Sequence, residues 1–360
     1  MEDITKKEDF TIEILKLIAP GTPLREGLEN ILKAKTGALL IIGDTEEFMD
    51  IVDGGFNINE EYTPARLYEL AKMDGAIVLS EDLKRILFAN AQIIPSSSIP
   101  TNETGTRHRT AERTAKQTGK LVISISQRRN IITVFKGNFR YTIEDTSKII
   151  TKANQALQIL EKYKKVFDNK LNVLNEYEFN DIVTLDNVIT CIQRAEMVMK
   201  VAEEVKRRIY ELGEDGRLVQ MQLDELVGDL EAEELYIIKD YIAPKKRIVA
   251  EDALKEIQSA YRDMLIDSNV IARSLGYLNF ENCEEIAVYP KGYRILNKVP
   301  KVPSNIVDNL IKYFKSFQHI LMADIEELDK VDGIGAIRAK TIKQSLKRMQ
   351  EQFIFDNVMM

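Results

Sequence analysis

The stretch Thr36-Gly37-Ala38-Leu39-Leu40-Ile41-Ile42-Gly43-Asp44 sets five apolar residues between two glycines. Five residues bounded by turn formers are too few for a core helix, and they read as a buried strand. Upstream lie two helical stretches, Phe10 to Ala19, stopped by Pro20-Gly21, and Leu24 to Lys35, which ends at Thr36-Gly37. Downstream, strand-like runs cover Ala76 to Leu79, Ile86 to Ile94, Leu121 to Ser126, Ile131 to Phe135 and Phe139 to Ile143. Strands interleaved with helices predict an α/β domain over residues 1–145, a mixed sheet flanked by helices.

The texture changes at Asp145-Thr146-Ser147, three helix-capping residues in a row. Beyond them Ile149, Ala153, Ala156, Leu160, Tyr163, Phe167, Leu171 and Leu174 recur at an average spacing of roughly 3.6, the helical period. Similar amphipathic segments cover Leu185 to Leu212, Leu218 to Leu230, Glu233 to Tyr241 and Ala250 to Leu275. Residues 146–288 are therefore expected to form an all-α spine; strict heptads do not persist, which argues against one long coiled coil. The Pro- and Lys-containing connections Tyr289-Pro290-Lys291-Gly292 and Val299-Pro300-Lys301-Val302-Pro303 introduce a small all-α part over 289–360. Helices are expected there at Asn305 to Phe317, Ile325 to Leu328 and Ala336 to Phe353.

Of 360 residues, 44% are hydrophobic and 30% charged, an ordinary globular balance. The formal charge is −7, so any nucleic-acid surface has to be local. Cys191 and Cys283 are far apart and His108 and His319 too few for a zinc site, which points to reduced thiols in a cytosolic protein. No apolar run approaches the ~20 residues that span a bilayer, so no membrane role is expected.

Two stretches carry candidate chemistry. Asp74-Gly75-Ala76 stands immediately before a strand, and Gly105-Thr106-Arg107-His108-Arg109-Thr110-Ala111-Glu112-Arg113 leads into a helix ending near Gly119. Free amides at a helix start, with Arg107 and Arg109 beside them, make an anion site suited to a triphosphate. Taken singly, the plainer readings are a solvated charged turn and a tight turn. No Gly-Lys-Ser/Thr phosphate loop is present, which excludes an ordinary P-loop NTPase. Near the C-terminus, Leu328-Asp329-Lys330-Val331-Asp332-Gly333-Ile334-Gly335-Ala336-Ile337-Arg338-Ala339-Lys340 fits a helix-hairpin-helix. In such a hairpin, glycines allow the tight turn and the next helix start points amides at a DNA phosphate. Arg338, Lys340, Lys343, Lys347 and Arg348 face a single acid, Asp332, over residues 331–350. Binding there should read backbone rather than bases; a hairpin that only packs helices or binds protein is the competing reading.

Asp-Gly-Ala before a strand followed by Arg-His-Arg resembles the signature pair of the diadenylate cyclase family. Ile125-Ser126-Gln127-Arg128-Arg129-Asn130 and residues Ile149 to Tyr163 resemble its DNA-integrity scanning branch, as does the order of domains. The resemblance implies a cyclase domain, a helical spine and a RuvA-like helix-hairpin-helix domain. The implied reaction condenses two ATP molecules into cyclic di-AMP with Mg²⁺ or Mn²⁺. Asp74 would hold the metal or orient and deprotonate the ribose 3′-hydroxyl, and Gly75 would let the backbone approach the nucleotide. Thr106, Arg107, His108, Arg109 and Thr110 would hold phosphates, Ile93 would contact the nucleotide through its backbone, and Ser126 is a further ATP contact. Gly333, Gly335, Arg338, Lys340 and Lys343 would meet DNA, with a preference for branched DNA such as Holliday junctions. A site holding one ATP cannot finish a reaction that consumes two, so two sites must face each other across a two-fold interface. The resemblance implies a homo-octamer, at the nucleoid. A non-catalytic ATP-sensing scaffold on DNA is the alternative, and a nuclease would need a carboxylate cluster that is not seen.

Overall fold

The computed structural model describes residues 11–43, 49–243, 248–260, 267–277 and 283–358. The chain groups into two compact units. The first runs to Asn154 and includes Lys206–Gln220, and the second comprises Gln155–Val205 with everything from Met221 onward.

In the first unit β1 (Ala38–Ile42) lies at the sheet's centre, parallel to β4 (Ala76–Leu79) and antiparallel to β6 (Leu121–Ser126). Outside β4 runs β5 (Arg85–Ile93), which pairs with both β2 (Val52–Asp53) and β3 (Phe56–Glu61). Beyond β6 come β7 (Ile131–Lys136) and β8 (Phe139–Thr142), so the sheet is mixed, as the interleaved pattern predicts. Side chains alternate across a strand. Ala38, Leu40 and Ile42 accordingly join one core with α1 (11–17), α2 (Pro23–Lys33) and α3 (Pro64–Leu70). Leu39 and Ile41 join a second core under α4 (Thr106–Thr118), which presents Ala111 and Ala115. A strand buried on both faces has no polar positions to alternate with, which is why β1 reads as an unbroken apolar run. The polar β3 escapes that reading because it is an exposed edge strand.

The second unit is helical. Helix α5 (Thr146–Asn180) begins in the first unit, and α6 (Leu185–Leu212) returns to it. They are followed by α7 (Arg217–Val227), α8 (Leu230–Tyr241), α9 (Ala250–Ala260) and α10 (Ser268–Ser274). The predicted segment Ala250 to Leu275 is thus two helices, and residues 261–266 between them lie outside the described residues. Then come α11 (Tyr293–Asn297), α12 (Ser304–Phe314), α13 (Phe317–Met322), α14 (Ile325–Asp329) and α15 (Ala336–Val358). The expected helix Asn305 to Phe317 breaks earlier. Lys315 adopts φ +65°, and Ser316 caps α13 by accepting from the His319 amide.

Described residues on the two sides of position 288 pack together. Arg294, fully buried, pairs with Glu178 and donates to Asn175 at 2.5 Å, while Asp240 accepts from the amides of Gly292 and Tyr293 at 2.7 and 2.6 Å. Phe179 meets Phe317 edge-on at 5.4 Å between ring centres.

Candidate nucleotide site and nucleic-acid interface

Strand register gathers the predicted nucleotide residues at one end of the sheet. Parallel β1 and β4 begin at that end, and antiparallel β5 and β6 finish there: Ala38 faces Ile125, and Ala76 faces Ala91. Asp74 and Gly75 precede β4, Ile93 closes β5 and Ser126 closes β6. Asp74 is exposed. Gly75 has φ +90°, and a Cβ on it would stand 2.8 Å from the Asn90 carbonyl carbon and 2.9 Å from the Ala91 oxygen. The turn therefore both needs left-handed backbone and lies against β5, which excludes a side chain.

Helix α4 reaches the same end, because the Arg107 guanidinium lies against Gly37, the residue before β1. Its N-cap, Gly105, offers no side chain, and the first amide bonded within the helix is Arg109, to the Gly105 oxygen at 2.9 Å. The amides of Thr106, Arg107 and His108 precede it and have no intrahelical acceptor, as at any helix start. Thr106 and Arg109 are exposed, and Arg107 and Thr110 are half-buried. This end of the helix is suited to an anion by geometry and by charge.

His108 is placed differently from its neighbours. The imidazole is 6% exposed and turns toward the sheet, with Nδ1 3.0 Å from the Ser124 hydroxyl and the ring edge-on to Phe135. Burial holds its pKa below the ordinary imidazole value, opposed by Glu103 and reinforced by Arg129, Arg140 and Arg107. The neutral state foreseen from adjacent arginines is the state favoured here, but burial is its main cause. Ile93 is likewise a core side chain whose backbone stands opposite Val52. Ser126 Oγ accepts from the Arg129 amide at 3.2 Å.

The loop leading into α4 is pinned along the helix by residues to which sequence reasoning gave no role. Glu112 is buried, accepts from Thr101 and from the Asn102 amide at 3.2 Å, and pairs with Lys116 at 2.8 Å. Arg113 donates to the Ile99 carbonyl at 2.9 Å, and Arg140 pairs with Glu103 at 2.7 Å. Gly37 and Ser124 were also missed. Ser124 left one signal, a hydroxyl inside an otherwise apolar strand.

At the C-terminus a short turn joins α14 to α15. Gly333 has φ +81°, and a Cβ there would come within 2.5 Å of Ile306 Cδ1, while Gly335 is open on all sides. Val331 and Ile334 seat the turn in the module's core. Lys340 is exposed, and Arg338 folds back to donate to the Gly333 carbonyl. Lys343 is not a free cation, for its ammonium donates to the Leu321 and Ala323 carbonyls at 2.8 and 2.6 Å and so closes the end of α13. His319, in the first turn of α13, has its ring beside the Ser316 hydroxyl and the Phe314 carbonyl.

Among the described residues no group of three or more His, Cys, Asp and Glu side chains is arranged to hold a metal ion. An exposed carboxylate at the start of β4 suits a divalent ion whose other ligands are phosphate oxygens and water, the usual manner of Mg²⁺. No described helix is long and apolar enough to cross a membrane.

A nucleotide-binding α/β unit with a mixed sheet, followed by a helical unit, is the class these features define. Residues 25–139 match the nucleotide-binding domain of the DisA bacterial checkpoint controller, and residues 143–283 match its linker region. The DNA integrity scanning protein DisA of Clostridium perfringens is 54% identical over 348 residues, 97% of this chain and 98% of that one. Its counterpart in Clostridium botulinum is 53% identical over 353 residues, 98% and 99% of the two chains. A double mutant of DacA from Staphylococcus aureus superposes with a TM-score of 0.30 at 18% identity, over 39% of this chain and 90% of the other. The chain belongs to the DisA family of DNA integrity scanning proteins. It is an enzyme, a diadenylate cyclase.

Proposed function

We propose that the first unit binds one ATP at the sheet end formed by Asp74, Gly75, Ile93, Ser126 and the start of α4, and that two such sites meet face to face to form cyclic di-AMP. The observation that carries this reading is the register, which brings four separate chain segments and an open helix N-terminus to one edge. Each 3′-hydroxyl attacks the α-phosphate of the other nucleotide, forming two phosphodiester bonds and releasing two pyrophosphates. Phosphoryl transfer is governed by positioning and charge. Thr106, Arg107, Arg109 and Thr110 with the first amides of α4 hold the phosphates and the leaving group, and Asp74 orients the hydroxyl or the cation. Mg²⁺ or Mn²⁺, when bound, neutralises phosphate charge. His108 acts through its backbone amide while its ring fastens the helix to β6.

The hairpin at Gly333 to Lys340 grips a DNA phosphate without reading bases, with branched DNA as the preferred form and a homo-octamer as the working assembly, in the cytoplasm at the nucleoid. The test is to incubate purified protein with ATP and Mg²⁺ or Mn²⁺, with and without branched DNA, and identify products by chromatography. Cyclic di-AMP is expected from the wild type and none from Asp74→Asn, whose assembly state should be unchanged. Losing a group that acts in the transition state costs on the order of 3 kcal/mol. Product formation at the wild-type rate by Asp74→Asn would overturn the assignment.

A further inference from the structure

We propose that Gly37 is a positioning residue for the cyclase reaction: the space left by its absent side chain is the seat on which the Arg107 guanidinium rests. The proposal depends on Arg107 being a phosphate ligand, and the experiment below separates the two.

Residue 37 sits one step before β1. It precedes Ala38, which stands opposite Ile125, and alternation puts residue 37 on the face of Leu39 and Ile41, the face that α4 covers. A Cβ at this position would stand 2.0 Å from Arg107 Nη1, 2.8 Å from Arg107 Cζ and 3.2 Å from the Ile125 oxygen. The first two separations are far inside the ~3.5–4.0 Å at which heavy atoms pack. The smallest side chain therefore displaces the guanidinium.

Backbone conformation does not explain a glycine here, because residue 37 is absent from the positive-φ glycines. Its use lies in what its face leaves room for. Among the described residues Arg107 makes no ion pair and no side-chain hydrogen bond, whereas Arg113, Arg129 and Arg140 are each committed to the loop around α4. The guanidinium is thus located by contact with backbone and keeps its donors for a ligand. Its position against Gly37, in the first turn of α4, places those donors at the sheet end described above. Because the obstructed group is the tip of a long side chain, moving it costs the fold little while relocating the charge.

The expected effect is large in rate and small in stability. A misplacement of about 1 Å in a positioning group can cost on the order of 100-fold, and Gly37→Ala should lose about that much in kcat/KM for ATP. Its thermal midpoint and circular dichroism should stay those of the wild type. Four full-length proteins are compared with ATP and Mg²⁺: wild type, Gly37→Ala, Arg107→Ala, and the double variant. ATP affinity is measured by calorimetry alongside cyclic di-AMP formation. In the Arg107→Ala background, Gly37→Ala should change neither affinity nor rate further, since there is no guanidinium left to displace. An additional loss in the double variant, or wild-type kinetics in Gly37→Ala, overturns the inference. If Arg107→Ala itself keeps wild-type kinetics, it is the reading of Arg107 that fails. Should Gly37→Ala lower the thermal midpoint, recovery of that midpoint in the double variant supports the contact, and no recovery overturns it.

Discussion

The His108 ring shares one hydrogen bond, with Ser124, and keeps Nε2 buried without a partner. Two buried polar groups satisfied only by each other are costly to separate. Ser124→Ala should lower stability by about 1–3 kcal/mol and loosen the start of α4, seen as a lower denaturation midpoint together with weaker ATP binding. An unchanged midpoint would mean that the pair contributes nothing. Gly75 is a second residue whose geometry admits no substitute. Strain at a left-handed position is of order 1–3 kcal/mol, and the Asn90–Ala91 backbone blocks a Cβ in addition. Gly75→Ala should therefore be destabilised by at least that range in urea titration, and a midpoint equal to the wild type would refute the crowding. What the sequence revealed at this scale was punctuation: Asp74-Gly75 and Gly105 mark a turn and a helix start through local backbone preference. The direction of His108 and the vacancy over Gly37 are set by partners 16 and 70 residues away, Ser124 and Arg107, and no local pattern encodes them.

Among the elements, α4 and the loop before it behave as one piece because Glu112 ties them together. Burial opposes ionisation of this carboxyl, yet Lys116, Thr101 and the Asn102 amide outweigh it and hold its pKa below the usual carboxylate value. Such a group adds stability above its unfolded pKa and loses it as pH falls through the lower folded value. Glu112→Ala should release residues 99–103, measured as faster amide exchange and new protease cleavage there with the sheet still protected; unaltered exchange would argue against the clamp. In the helical module the same distinction separates two lysines. Lys340→Glu, at an exposed site, should weaken DNA binding in a gel shift and reduce its salt dependence by about one phosphate contact without altering the fold. Lys343→Glu should instead lower the module's melting point, because it removes a donor from two carbonyls. Equal melting points for the two variants would contradict this division. Helical periodicity located α12 and α15 within a few residues, but the break at Lys315 depends on a left-handed residue that is not glycine, a choice made by packing.

Across the whole molecule, long amphipathic helices were legible because each buries one continuous stripe, while the grouping of helices was not. Residues 116 positions apart, Arg294 and Glu178, form a buried ion pair that draws the C-terminal hairpins into the helical unit. In that unit α6 and α8 also bring together two buried carboxyls, Glu196 and Glu234, which are 4% and 0% exposed. Neither Glu234 oxygen nor Glu196 Oε1 has a donor from another residue. Two ionised carboxylates have no proton to share, whereas one protonated member donates to the other. Burial is the largest cause of the upward shift for both. Glu234 is pushed up further by the charge of Glu196, by its hydrogen bond to Glu196 and by Glu231. Glu196, pushed up also by Glu203 and Glu231 and held back by its hydrogen bond with Glu234 and by Lys200, is raised to about 7. Both groups titrate near 4.5 when unfolded. A carboxyl raised on folding stabilises fully below its unfolded pKa, and that stability is lost as pH rises through the folded value. The helical unit should therefore weaken between pH 5 and pH 8, the reverse of the trend set by Glu112. Exchange rates of α6 and α8 amides, corrected for intrinsic pH dependence, should report this, and Glu234→Gln should flatten the profile because an amide supplies the missing donor at every pH. Parallel profiles for wild type and Glu234→Gln would show that the two carboxyls do not share a proton.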